Sequence, residues 1–139
     1  MCSTQLVVIP IVRYFGVFVV QHNAAFLALV ESILPQITEV SVEEYQSDTS
    51  WQLIDVREDH EWLKDHLPNA SHLGRGIIER DIETQIPDKT TPILLYCGGG
   101  YRSALAAMNL QIMGYTHVGS LTGGYKAWVQ HQLPLMKPK

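Results

Sequence analysis

The sequence predicts an α/β domain, with a parallel sheet covered by helices on both faces. Strand-like and helix-like segments alternate along the chain with short connections. Residues 92–96 (PILLY) form an unbroken apolar run after a proline, as a strand buried on both faces requires. The helical stretch after it closes with Gly114 and an apolar Tyr115, the pattern of a glycine C-cap.

The elements follow in order. Residues 23–34 carry Phe26, Leu27, Leu29, Val30, Ile33 and Leu34 at helical spacing, with Asn23 as cap and Pro35 as stop. Residues 38–40 are a short strand, and Ser41-Val42-Glu43-Glu44 is a capping box opening a brief helix to Gln46. Residues 51–56 (WQLIDV) read as a strand and residues 58–64 as a helix. Pro68 and Asn69 make a turn, proline by fixing φ and asparagine by tolerating a left-handed conformation. Residues 71–73 are a strand, and residues 77–85 a helix ending before Pro87. After the strand at 92–96, residues 102–113 form a helix, 117–120 the last strand and 124–130 the last helix. There is no internal repeat, low-complexity stretch or linker.

At 139 residues, 46% hydrophobic and 17% charged, the chain fits one globular domain with a sizeable core. Its formal net charge of −4 offers no basic surplus for phosphate contacts, so nucleic acid is not an expected partner. Cys2 and Cys97 are the two cysteines, and one lies at the extreme terminus, which argues against a disulfide framework and for a reducing, cytoplasmic setting. Residues 6–20 are nearly all apolar but hold Pro10, Arg13 and Gly16. That run is shorter than the ~18–20 residues that span a bilayer. Residues 1–22 are therefore assigned as an apolar extension packed on the domain or on a partner chain. Membrane association or export through residues 6–20 is the alternative, and residues 23–135 are the domain.

One loop carries the chemical signal. In a parallel sheet, sites lie beyond the carboxyl ends of strands, where the next helix begins. There the chain reads Cys97-Gly98-Gly99-Gly100-Tyr101-Arg102-Ser103. The N–H groups of a helix start and the adjacent Arg102 charge favour thiolate over thiol. Three glycines let the backbone curl so that several N–H groups face one anionic atom. A cysteine at a strand end is most often just a small buried apolar residue; the triple glycine, the arginine and the helix start argue for a nucleophile instead. A dinucleotide loop fits poorly, since the last glycine of that pattern is missing and no acid lies near position 120. No Walker lysine follows, and no nucleophile elbow occurs.

The loop Cys97-x-x-Gly100-x-Arg102-Ser103 resembles the active loop of single-domain rhodaneses, the sulfurtransferase family. Three further pieces resemble that family in the expected order: Ile54-Asp55-Val56-Arg57-Glu58, the stretch from Trp62 through His66-Leu67-Pro68-Asn69-Ala70, and Gly123-Gly124-Tyr125-Lys126-Ala127-Trp128. Together they span about residues 36–134. Asn69 stands where the family usually has glycine, Trp62 where it has Phe or Tyr, and Gly98 and Gly99 where some thiosulfate-specialised members carry basic residues.

The resemblance implies a three-layer rhodanese-like domain with a mostly parallel five-stranded sheet. It also implies a sulfurtransferase that moves sulfane sulfur from a donor such as thiosulfate through a Cys97 persulfide to cyanide or a thiol. The backbone of Gly98, Gly99, Gly100, Tyr101, Arg102 and Ser103 would bind the persulfide, with Asp55, Arg57 and Arg75 in support. Arg102 either holds the anionic donor or pairs with an acid such as Glu61 to fix the loop. Arg57 and Asp55 form a pair at the strand end, and Arg75 lines the mouth or sits on the surface.

Two rivals stand beside this reading. A cysteine-based phosphatase of related fold has a loop one residue longer, whereas only four residues separate Cys97 from Arg102. A non-catalytic rhodanese-like module typically lacks the cysteine. No cofactor is expected. No metal is expected either: His60, His66 and His72 are spaced by six, and no histidine pair has the i, i+4 spacing of a helical metal site. The three tryptophans, Trp51, Trp62 and Trp128, are expected in the core or at its edge. The partners are small molecules, and the chain is a monomer or a dimer.

Overall fold

The computed structural model describes residues 22–139. The elements are α1 (Ala24–Ile33), β1 (Thr38–Val40), α2 (Val42–Gln46), β2 (Gln52–Asp55), α3 (Asp59–Lys64), β3 (Ser71–His72), α4 (Ile78–Gln85), β4 (Ile93–Tyr96), α5 (Tyr101–Ile112), β5 (Val118–Leu121) and α6 (Gly124–Gln130). Among the described residues five strands form one sheet in the order β1-β5-β4-β2-β3, and its strands pair in parallel throughout. The expectation of a mostly parallel sheet thus becomes a fully parallel one. The assignment of residues 1–22, including Arg13, lies outside the described residues except for His22. Among the described residues no helix is long and apolar enough to cross a membrane.

Side chains alternate along each strand, and the core divides accordingly. Ile54, Ile93 and Leu95 pack with Ile78 and Ile82 of α4 and Ala106, Ala107 and Leu110 of α5. Leu53, Leu94, Tyr96 and Leu121 face the other way, against Val42 of α2 and Ala127 and Trp128 of α6. This gives the three layers. Helix α1 stands outside them and packs Val30 on Tyr101 and Ala104 of α5.

Local chemistry sets the element ends. Ser41 and Glu44 close a complete capping box, Ser41 Oγ accepting from the Glu44 amide at 3.0 Å. Glu58 is the N-cap of α3 and forms the reciprocal pair with Glu61. Asn23 occupies the N-cap of α1 but makes no side-chain capping bond. Pro35 does not simply stop that helix; it sits inside a 3₁₀ turn, Leu34–Gln36. Asn69 takes a left-handed φ of 69°, and Gly114 ends α5 at φ 107°.

The strand order places the site. The chain runs outward through β2 and β3 to one edge, then returns to β4 and proceeds through β5 toward the other. The reversal lies between β2 and β4, which are paired from Gln52–Ile93 to Asp55–Tyr96. A crevice opens beyond strand carboxyl ends at such a reversal. Arg57 and Cys97 emerge there, two residues beyond Asp55 and one beyond Tyr96.

Candidate active site

Cys97 continues the alternation of Ile93 and Leu95 and belongs to the same apolar cluster, with only 1% of its surface exposed. Its sulfur nevertheless has polar company. The Gly100 amide donates to Sγ at 3.1 Å and the Ser103 amide at 3.4 Å. Ser103 Oγ lies 3.5 Å from Sγ and 2.8 Å from Ser120 Oγ, and both serines are fully buried. Gly100 makes this curl possible by adopting φ 99° at the N-cap of α5, a conformation costly for a residue with a side chain. Two backbone donors converging on one sulfur from a helix start are suited to holding negative charge there.

The loop is stapled from outside by α6. The Tyr125 amide donates to the Cys97 carbonyl at 2.8 Å, and the Lys126 amide to the Gly98 carbonyl at 3.0 Å. Gly124 permits this approach. Its φ is +53°, and a Cβ there would overlap the Cys97 carbonyl. The Gly123-Gly124-Tyr125-Lys126 stretch is therefore part of the loop's support, not only the start of the last helix.

A cavity of ≈ 290 Å³ opens above the loop, lined by Cys97, Gly98, Gly99, Tyr101, Arg102, Glu61, Lys126, His22 and Phe26. Arg102 turns to α3, its Nη1 lying 3.2 Å from Glu61 Oε1 and 3.9 Å from Glu58 Oε2. Burial works against the Glu61 charge, but the Glu58 amide and the Arg102 guanidinium outweigh it and hold the carboxyl below its usual range. Burial likewise opposes the Arg102 charge, while Cys97, Glu61 and Glu58 push its affinity for the proton up. The pair thus keeps a guanidinium at the wall of the cavity, oriented by a carboxylate.

The three supporting residues are not among those lining this cavity. Asp55 and Arg57 pair with each other at the end of β2, with 0% and 4% of their side chains exposed. Arg57 donates from Nε and Nη2 to both Asp55 oxygens and from Nη2 to the Asp65 carbonyl. Tyr96 Oη donates to Asp55 at 2.7 Å and accepts from the Leu67 amide at 3.1 Å. Burial, then the Asp55 charge, push the Tyr96 phenol far up. Tyr125 stacks its ring 4.5 Å from the Arg57 guanidinium carbon and donates to Asp65 at 2.8 Å; burial, then Asp65, push its phenol up to about 12. Arg75 pairs with Glu79 on α4 at 3.2 Å, and its Nε is buried without a hydrogen-bond partner.

The sequence singled out every loop residue and named Glu61 as a partner for Arg102. It did not single out Ser120, His22, Phe26 or Lys126 as site residues. Phe26 carried a signal only as part of an apolar helix face, and Lys126 only within the Gly123–Trp128 stretch. The histidines at 66 and 72 bond backbone carbonyls, of Leu67 and Arg57 respectively. Their rings stack on Trp62 with centroids at 3.6 and 5.1 Å. No cluster of metal-ligating side chains occurs among the described residues.

The rhodanese-like domain model matches residues 38–131, more than half of the chain. The chain belongs to the rhodanese-like domain family. Among its rhodanese-like relatives, thiosulfate sulfurtransferase GlpE of Coxiella burnetii is 32% identical over 90 aligned positions, covering 59% of this chain and 82% of that protein. Thiosulfate sulfurtransferase PspE of Escherichia coli is 36% identical over 73 positions, covering 52% and 69%. Among solved structures, a Rhodopseudomonas palustris protein of unknown function, suggested to be a tyrosine phosphatase, superposes with a TM-score of 0.72. It is 26% identical, with 85% of this chain and 99% of that one covered. The chain is thus similar in sequence to proteins named for sulfur transfer, while α1 lies outside the matched family segment.

Proposed function

We propose that this rhodanese-like chain is a thiosulfate-type sulfurtransferase with Cys97 as nucleophile. The observation that carries the reading is the Cys97 sulfur receiving the Gly100 and Ser103 amides at 3.1 and 3.4 Å beneath a cavity with a guanidinium in its wall. The thiolate attacks the outer, sulfane sulfur of the donor. The donor's S–S bond breaks, its sulfite leaves with the electron pair, and Cys97 carries a persulfide. Amides of the 98–103 loop then stabilise the charge on the terminal sulfur, as an oxyanion hole does for oxygen. Cyanide or a thiolate attacks that sulfur, leaves as thiocyanate or a new persulfide, and restores the Cys97 thiolate. Arg102, oriented by Glu61, draws the anionic donor to the cavity. Asp55 and Arg57 act as positioning residues from beneath the loop, and Arg75 supports the neighbouring turn.

The names of the relatives support sulfur transfer, and the four residues between Cys97 and Arg102 disfavour the phosphatase alternative. The deciding measurement is intact-mass spectrometry after thiosulfate exposure. A ~32 Da adduct on Cys97, discharged by cyanide and absent from Cys97→Ser, is the expected result. Hydrolysis of an aryl phosphate without the adduct would replace this reading by the phosphatase one. Neither activity would leave a binding module.

A further inference from the structure

The cavity above Cys97 is richer than the transfer of one sulfur atom from an inorganic anion requires. Amides and cations suffice for that step, yet one wall is aromatic. His22 and Phe26 face each other edge-on with ring centroids 5.3 Å apart, and each faces Tyr101, at 4.4 and 6.0 Å. Tyr101 belongs to the Cys97 loop, but Phe26 comes from the first turn of α1 and His22 from two residues before that helix, ahead of residue 38 where the family match begins. Their position is fixed. Val30 of the same helix is fully buried against α5, and the Gln111 side chain of α5 donates to the Gln36 carbonyl at 3.0 Å. Arg102 and Lys126 line the same cavity as the rings, with the Glu61 carboxylate beside Arg102. Burial, then the charge of Lys126, lower the proton affinity of His22, which favours its neutral ring.

We infer that Phe26 of α1, with His22 just ahead of that helix, is the selectivity wall of this site, and that its donor is an organic sulfane-sulfur compound with an anionic sulfur end and an apolar or aromatic body. The anionic end lies toward Cys97 and the two cations, and the body lies on the His22–Phe26–Tyr101 rings. The cavity volume of ≈ 290 Å³ matches this assignment, being near the lower end of pockets that enclose small organic ligands. The inference rests on the persulfide reading above. With benzenethiosulfonate as the probe, Cys97 thiolate bonds to the outer sulfur, the S–S bond breaks, and benzenesulfinate leaves with the electron pair. Cyanide then removes the sulfur as thiocyanate.

The test is the ratio of kcat/KM for benzenethiosulfonate to that for thiosulfate, with cyanide as acceptor, in the full chain and in Phe26→Ala, Phe26→Leu and His22→Ala. The full chain is expected to prefer the aryl donor by about tenfold or more, and loss of the Phe26 ring to erase about tenfold of that ratio, in keeping with what one pocket group contributes to discrimination. A misfolded variant loses both donors together and leaves the ratio unmoved, and Phe26→Leu retains the apolar helix face without the ring. A ratio near one in the full chain overturns the inference. So does a ratio unchanged in both Phe26 variants while their thiosulfate turnover stays near that of the full chain. Cys97 persulfide formed equally from either donor in every variant sinks the wall alone, whereas no adduct from either donor sinks the sulfurtransferase reading along with it.

Discussion

Strands β2 and β4 lie side by side and end at the same edge of the sheet, yet their polar ends are used in opposite ways. Asp55 and Arg57 at the end of β2 are spent on one another, on Tyr96 of the neighbouring β4 and on the Asp65 carbonyl, with bonds of 2.6 to 3.0 Å. At the end of β4, the Cys97 sulfur takes two amides at 3.1 and 3.4 Å and still borders an open cavity. A closed network fixes the shape of the crevice, whereas the loop leaves reactive capacity for a ligand. Burial alone does not separate the two, since Asp55 and Cys97 are 0% and 1% exposed. What separates them is whether the polar partners are used up.

The largest expected effect comes from Cys97→Ser. Serine keeps the acceptor for the Gly100 and Ser103 amides but removes the nucleophilic sulfur. Sulfur transfer should fall by ~10³-fold or more, as for loss of a covalent nucleophile. Thermal unfolding, recorded on the same sample, should stay close to that of the parent. Residual turnover within tenfold of the parent would erase the contrast from the catalytic side.

Asp55→Ala probes the other strand end. It leaves the Arg57 guanidinium, 4% exposed, without its carboxylate. Breaking a buried pair by removing one partner costs ~3–5 kcal/mol, a large share of the stability of a domain this size. Chemical denaturation should show that loss, and a change below ~1 kcal/mol would mean that the network is not closed as described. Gly124→Ala ranks next. A Cβ at φ +53° must push on the Cys97 carbonyl, so the loop and α6 separate. Strain of this kind costs ~1–3 kcal/mol, and both stability and kcat should fall, since this glycine couples the loop to its support. Unchanged kcat with reduced stability would assign Gly124 to the fold only.

Much of this was legible in the sequence because it is local. The Cys97–Ser103 loop, the capping box at Ser41, Asn69 and Gly114 each depend on neighbours within a few positions, whereas the reciprocal Glu58–Glu61 cap was read only as a helix start. The apolar run at residues 93–96 revealed a strand buried on both faces, and all four residues are buried. Features that depend on how distant elements dock were not legible. Gly124 reads as a helix start until α6 is seen against the Cys97 carbonyl. Ser120 reads as an ordinary strand residue until Ser103 is found 2.8 Å away. Phe26 shows helical apolar spacing, and spacing alone does not say whether that face meets the core or a cavity.

The smallest expected effect is at the surface, where an ion pair of the same formal kind sits in water. His131 Nε2 lies 3.0 Å from Glu43 Oε2. The Glu43 hydrogen bond is the main cause that raises His131 above its ordinary 6.5, and the His131 hydrogen bond is the main cause that lowers Glu43 below its ordinary 4.5. The signs define a window. A raised histidine contributes stability that is complete below its unfolded value and is lost as pH rises through its folded value. A lowered glutamate contributes above its unfolded value and loses that contribution as pH falls through its folded one. The pair therefore contributes most between about 4.5 and 6.5 and fades on either side. His131→Gln should flatten a shallow rise in melting temperature within that window and change little at pH 8, because exposed pairs are weak and salt-screened. A loss at pH 8 comparable to that of Asp55→Ala would mean that solvent exposure, rather than the use of every polar partner, is the wrong measure of what holds this domain together.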